Sequence, residues 1–186
     1  MGKLIFSAIA SLDGYIEDEH GAFNLYPHND DVFAATTEFI RSVGTFLYGR
    51  RLYDMMAPWE TNPALAAQSD LTAEFAKAWQ AADKIVYSTT LAGASTANTR
   101  IEPRFDVASV RALKTSATGD LTVGGADLAA QAFTAGLVDE CQLFVWPSII
   151  GGGKPGLPSG ARVDLELLDE RRFDNGVVQL RYRVWT

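Results

Sequence analysis

The sequence predicts an α/β fold: a mixed, mostly parallel sheet with helices on both faces and a C-terminal antiparallel hairpin. Three observations carry that prediction. Apolar runs of strand length alternate with helix-period segments through the first three quarters of the chain. Two of the runs pass through glycine straight into a helical pattern, at Tyr48-Gly49-Arg50 and at Val123-Gly124-Gly125-Ala126. The last quarter changes to two extended stretches joined by Asp174-Asn175-Gly176, and Asn-Gly is a strong hairpin signal.

In chain order, Leu4 to Ala10 is almost wholly apolar, as in a central strand covered on both faces, and it stops at the turn signal Ser11-Leu12-Asp13-Gly14. After a polar loop, Asp30 and Asp31 open a helical pattern carried by Val32, Phe33, Thr36, Phe39, Ile40 and Val43, with Gly44 as its expected exit. Thr45 to Tyr48 is a second buried strand, and a short helix begins near Arg50. Pro58 and Pro63 bound a stretch around Trp59 that reads as irregular, either a lid or a connector. Helical spacing returns from Thr72 to Ala82, followed by a strand at Lys84 to Tyr87 that ends in Ser88-Thr89-Thr90. A minor strand at Thr99 to Glu102 and a helix at Asp106 to Lys114 lead to the strand–glycine–helix unit Asp120 to Phe133, with an exit at Gly136. Cys141 to Trp146 is another apolar strand, Ser148 to Gly160 a glycine- and proline-rich loop, and Asp164 to Phe173 with Val177 to Val184 the closing hairpin.

The 186 residues read as one domain spanning 1–186, with a 47% hydrophobic share and no low-complexity tract. A net charge of −7 is the opposite of a nucleic-acid footprint, so any anionic ligand must be held by a local positive field. One cysteine, Cys141, excludes an intrachain disulfide and fits a reducing cytoplasm. His20 and His28 read as surface groups, with no clustered ligand set for a metal. The N-terminal residues show neither a signal-peptide nor a myristoylation pattern, and no apolar stretch approaches membrane-spanning length.

The candidate chemistry collects at the carboxyl ends of the predicted strands, where ligands of such sheets sit. Gly124 and Gly125 allow close backbone approach, and the helix that follows directs free N–H groups and a positive dipole end outward. A pyrophosphate is the guest such a junction suits; the alternative is a plain strand-to-helix turn. Arg50 and Arg51 after Gly49 offer guanidinium forks to phosphate, and Ser88 and Thr89 offer hydroxyls at the next strand end, placed to receive the 2′-phosphate of an NADP-type cofactor. Ile150-Gly151-Gly152-Gly153-Lys154-Pro155 is not a P-loop, which needs glycine at Ser148 and Ser or Thr at Pro155. It reads equally as a loop closing on the ligand face or as a flexible connector. Neither a G-x-G-x-x-G fingerprint nor a G-x-S-x-G elbow is present. Asp13 and the pair Asp30 and Asp31 are the proton-donor candidates, with an Asx-type turn and a helix N-cap as their structural alternatives.

Taken together, Ser11-Leu12-Asp13-Gly14-Tyr15-Ile16, Gly49-Arg50-Arg51-Leu52-Tyr53, Val123-Gly124-Gly125, Asp139-Glu140-Cys141 leading to Pro147, and Ile150 to Pro155 resemble the dihydrofolate reductase-like superfamily. The likeness is nearest to the reductase domain at the C-terminus of riboflavin-biosynthesis deaminase-reductases. It implies a three-layer dihydrofolate reductase-like fold, an NADPH-dependent reductase acting on a small-molecule substrate, and a homodimer. It also implies that Ile9, Ala10 and Ile16 border the nicotinamide, Gly49, Arg50 and Arg51 meet phosphates, Ser88 and Thr89 meet the adenosine end, and Gly124, Gly125, Ala126, Asp127 and Leu128 hold the pyrophosphate. Asn24-Leu25-Tyr26-Pro27 followed by Asp30 and Asp31 echoes the dihydrofolate reductase segment bearing the catalytic carboxylate, which makes Asp31 the first and Asp13 the second proton-donor candidate. No arginine matches the one that binds the folate glutamate, and no deaminase zinc signature is present. The reading is a stand-alone reductase of a small heterocyclic or carbonyl-like substrate. The narrower alternative reduces 5-amino-6-(5-phosphoribosylamino)uracil or a pterin, and the non-enzymatic one is a nucleotide-binding module without turnover.

Overall fold

The computed structural model describes residues 1–22, 27–158 and 162–185. Its frame is a sheet of eight strands in the order β5-β4-β3-β6-β1-β7-β10-β9. In chain sequence these are β1 (Leu4–Ser11), β3 (Val43–Gly49), β4 (Asp83–Tyr87), β5 (Thr99–Glu102), β6 (Asp120–Gly124), β7 (Glu140–Trp146), β9 (Asp164–Arg172) and β10 (Val178–Trp185). The first six pair in parallel, and β10 runs antiparallel to both β7 and β9, so the sheet is mixed as expected. A two-stranded flap of β2 (Tyr15–Glu17) and β8 (Lys154–Pro155) stands apart from it.

Side chains alternate across each strand, and the two faces are filled differently. Leu4, Phe6, Leu47, Leu121 and Val123 meet Val110 of α6 (Val107–Ser116) and Leu128, Ala129, Ala132 and Phe133 of α7 (Ala126–Thr134). On the opposite face, Phe46, Tyr48 and Val86 pack under α1 (Asp30–Ser42), α2 (Arg50–Met56) and α5 (Asp70–Ala81) through Ile40, Tyr53, Phe75 and Trp79. Val32 and Ala35 of α1 reach across to Phe144, Trp146 and Phe173. Burying side chains of this size contributes about 1.5–3 kcal/mol each. Lys84, only 1% exposed, donates to the carbonyls of Trp79 and Ala82 at 3.3 and 3.0 Å, satisfying the C-terminal end of α5. Burial lowers its pKa.

Local departures from the expected elements have identifiable causes. Gly44 does not end α1: Val43 turns extended at φ −99°, ψ 129°, and β3 starts there, with Gly44 in a register irregularity opposite Asp120. The stretch around Trp59 is helical, not irregular. Pro58 and Pro63 each open a single turn, α3 (Pro58–Thr61) and α4 (Pro63–Ala66), because proline is pre-set for a first helical position. The helix expected from Thr72 begins at Asp70, where Ser69 and Thr72 form a reciprocal cap. The loop from Ser148 contains β8 and is not a free connector. Asp106 caps α6, and the described residues contain no cis peptide bond.

Candidate active site

The helix starts at the carboxyl edge of the sheet mark the site. Asn29, Ser69 and Asp106 place a side-chain acceptor on the first turns of α1, α5 and α6, but α2 and α7 are entered through Gly49 and Gly125 and have no side-chain cap. Their first N–H groups are left to a ligand or to water. Both termini open onto one cleft of about 620 Å³ at the carboxyl edge of the sheet.

The floor of the cleft is the gap between the helices, where Ser7 and Ile9 of β1 and Thr122 and Gly124 of β6 line it. Small residues on those central strands keep the floor low. A Cβ on Gly124 would collide with Leu52 of α2 and stand 3.4 Å from the Tyr48 ring, whereas Gly125, at φ +93°, faces open space. That pair therefore brings bare backbone to the rim, followed by Ala126, Asp127 and Leu128 of α7, all lining the cleft.

Three cations line the same cleft, and each already meets a carboxylate. Arg51 Nη1 lies 3.0 Å from Glu17 Oε2, and Arg51 Nη2 donates to the Gly21 carbonyl at 2.9 Å. Arg50 donates to Asp54 at 3.3 Å and to the Thr90 hydroxyl at 2.7 Å. Lys154 Nζ lies 2.9 Å from Asp127 Oδ2. Lys154 stands on the flap, so this pair spans from β8 to the first turn of α7. The flap is tied down by the Gly156 N–H donating to Gly14 O at 2.9 Å and by Leu12 N–H donating to Ser148 O at 2.8 Å. Of the two readings of the 148–160 loop, its part through β8 is the one that closes on the ligand face, with Ile16, Glu17 and Lys154 in the cleft lining.

Among the expected cofactor residues, Ile9, Ile16, Gly49, Arg50, Arg51 and Gly124 to Leu128 share the cleft lining. Ala10 is buried beside Ile9 and does not line it. Ser88 and Thr89 lie just outside. They flank the cleft through Thr90, which holds Arg50, and the Ser88 hydroxyl accepts from the Thr90 and Leu91 N–H groups at 3.2 and 3.1 Å.

The two carboxylate candidates stand away from the lining. Asp31 is exposed in the first turn of α1. Asp13 accepts from the N–H groups of Gly151 and Ile150 at 2.8 and 3.2 Å. A hydrogen bond from Ser11, reinforced by those two, holds its carboxyl below the ordinary value and so in the acceptor form. The polar groups that do line this wall are Asn29, Thr36 and His28, whose Nε2 is 2.8 Å from Asp30 Oδ1. His28 is exposed, as expected, and it also borders the cleft. Only its place just before a capped helix could have marked it in the sequence. Residues 24–26 of the Asn24 to Pro27 echo lie outside the described residues.

The remaining walls are apolar: Val32, Phe33, Phe39 and Ile40 of α1, Met55 and Met56 of α2, and Phe75 of α5. Among the described residues, no three His, Cys, Asp or Glu side chains cluster as metal ligands, and no helix is long and apolar enough to cross a membrane. Cys141 is buried in β7, and burial pushes its thiol up to about 12.

Comparison with known proteins places these features. The model of the RibD C-terminal domain matches residues 2–179. The uncharacterized protein YyaP of Bacillus subtilis (strain 168) is 29% identical over 182 residues, covering 97% of this chain and 94% of its own. Among solved structures, a protein from Shewanella sp. PV-4 ascribed to riboflavin biosynthesis superposes with a TM-score of 0.74 at 19% identity, covering 99% of each chain. Dihydrofolate reductase from Enterococcus faecalis, complexed with NADP(H), superposes with a TM-score of 0.65 at 14% identity, covering 98% of this chain and 96% of its own. The fold is thus dihydrofolate reductase-like.

Proposed function

The chain belongs to the RibD C-terminal domain family, a family of reductases, and on that premise we propose that it is an NADPH-dependent reductase passing hydride to a small heterocyclic or carbonyl-like substrate. One observation carries the reading: two helix N-termini without side-chain caps meet three cations on one cleft whose far walls are apolar. The residues fit the cofactor. Gly124 lets α2 pack closely through Leu52, and Gly125, at positive φ with open space where a Cβ would stand, leaves backbone open to a pyrophosphate, which Ala126, Asp127 and Leu128 would cap with the first turn of α7. Gly49, Arg50 and Arg51 would hold phosphates at the start of α2. Arg50, with Ser88 and Thr89 beside it, would take the 2′-phosphate and adenosine end. Ile9, Ala10 and Ile16 would border the nicotinamide.

When bound, NADPH supplies the hydride; the chain supplies orientation, exclusion of water and a proton. The flap, through Ile16 and Glu17, would exclude solvent from the nicotinamide end. We assign the proton to His28, which lines the cleft with Asp30 behind it, in place of direct delivery by Asp31 or Asp13. A substrate-supported rate should fall about a hundredfold or more in His28→Gln with NADPH affinity unchanged; an unchanged rate would remove His28 from the mechanism.

The same reading carries a homodimer. Its contact would centre on edge strand β9, where Leu165 and Leu167 are 42% and 50% exposed beside the half-buried Leu180 and Tyr182 of β10.

Isothermal titration calorimetry tests the cofactor assignment. NADPH should bind more tightly than NADH, and Arg50→Ala should weaken NADPH by about tenfold or more while changing NADH little, since a charge-assisted hydrogen bond contributes about 1.5–3 kcal/mol. No NADPH binding, or an Arg50→Ala variant indistinguishable from the parent, would refute the reading.

A further inference from the structure

We propose that the substrate end of the cleft takes an uncharged planar ring compound and not a phosphate ester. The inference rests on the cofactor placement above, which leaves the walls of α1, α2 and α5 to the substrate. Charge decides it. The cations lining the cleft are Arg50 and Arg51 at the start of α2 and Lys154 on the flap, all paired, with Asp54, Glu17 and Asp127. The lining residues of α1, α5 and the far end of α2 include no Lys or Arg, and His28 beside them is already paired with Asp30 at 2.8 Å. Arg41 is the one Lys or Arg between residues 20 and 49, and it reaches outward to Glu74 at 3.0 Å. Lys77 of α5 is exposed and absent from the lining.

A phosphate monoester carries nearly two negative charges. At this end it would be desolvated against Phe33, Phe39, Ile40 and Met55 with no partner, in a chain whose net charge is already −7. The walls suit a neutral ring instead. Phe33 belongs to an aromatic series with Phe75 at 5.1 Å and His28 at 5.5 Å between centroids, which offers tilted faces to a planar guest. Met55 and Met56 supply an adaptable apolar side. Thr36 and Asn29 provide neutral polar contacts at the α1 end, enough to orient ring heteroatoms without demanding charge.

The test uses one ring with and without the charge: 1-naphthol and 1-naphthyl phosphate, titrated calorimetrically into the full chain, alone and saturated with NADPH. The expectation is that naphthol binds at least about tenfold more tightly in both states. Met55 is 36% exposed, so a cation there need not disturb the core. Met55→Arg should reverse the preference, and Thr36→Lys serves if that variant does not fold. Equal or tighter binding of naphthyl phosphate by the parent protein would overturn the proposal, as would a preference that neither folded variant moves. The cofactor reading is judged separately by the NADPH titration: its failure leaves the ring comparison in the free protein intact, and a failed ring comparison leaves NADPH binding intact.

Discussion

At Gly124, β6 and α2 approach too closely to admit even one methyl group. Gly124→Ala would press on Leu52 and the Tyr48 ring, and overpacking of this kind costs about 1–3 kcal/mol. We expect a lower thermal midpoint together with weaker NADPH binding, because Leu52 follows directly on Arg50 and Arg51. An unchanged midpoint and affinity in paired thermal and calorimetric scans would show that the close approach is incidental. A second residue acts far from the cleft. Glu140 in β7 is 5% exposed and accepts from Lys3 at 2.6 Å and Arg181 at 3.1 Å. Burial alone would raise its pKa, but these two cations outweigh that and hold it below its ordinary 4.5. A depressed carboxylate stabilises the fold fully above its unfolded value and loses that contribution as pH falls through the folded value. Glu140→Gln should therefore cost about 1–3 kcal/mol at neutral pH. In urea titrations the gap from the parent should stay constant down to about pH 5 and close at lower pH; a gap that persists there would contradict the assignment. At this scale the glycines and arginines of the cleft were legible because their chemistry is local. The fixed acceptor role of Asp13 was not, since it depends on Ile150 and Gly151, which only the folded chain brings to it.

Elements carry the division between strand ends that hold and a flap that covers. The β2–β8 pair is only three residues against two, yet Gly153, at φ +133°, sits so close to Glu17 that a Cβ would strike its backbone carbonyl. Gly153→Ala should open the flap, increase amide exchange across residues 150–156 and weaken NADPH. The global midpoint should move by no more than a few degrees, because a pair this short contributes little to the main sheet. Retained exchange protection with unchanged affinity would remove the flap from the binding account. The parallel strands and the hairpin were readable from runs and punctuation in the sequence. The flap was not, because two or three residues carry no period and their pairing spans from residue 15 to residue 155. The turns at Pro58 and Pro63 were missed for the first of these reasons, and the end of α1 because its exit uses Val43 in place of the glycine that follows.

Over the whole molecule, the helices protect the parallel strands on both faces, while edge strand β9 keeps an apolar face open at Leu165 and Leu167. If that face joins two copies, Leu167→Glu should convert a dimer to a monomer in sedimentation equilibrium without lowering the monomer's helix content. A parent chain that sediments as a monomer at tens of micromolar would refute the homodimer. The central claim concerns the other side of the sheet, where the site is assembled from β1, β3, β6 and the starts of α2 and α7. A crystal structure with NADPH bound tests it most directly. The account predicts the pyrophosphate over Gly124 and Gly125 against the first N–H groups of α7, the 2′-phosphate on Arg50, and the nicotinamide between Ile9 and Ile16, facing the apolar walls. NADPH lodged elsewhere, or a cleft at these residues that stays closed to it at saturating concentration, would contradict the account.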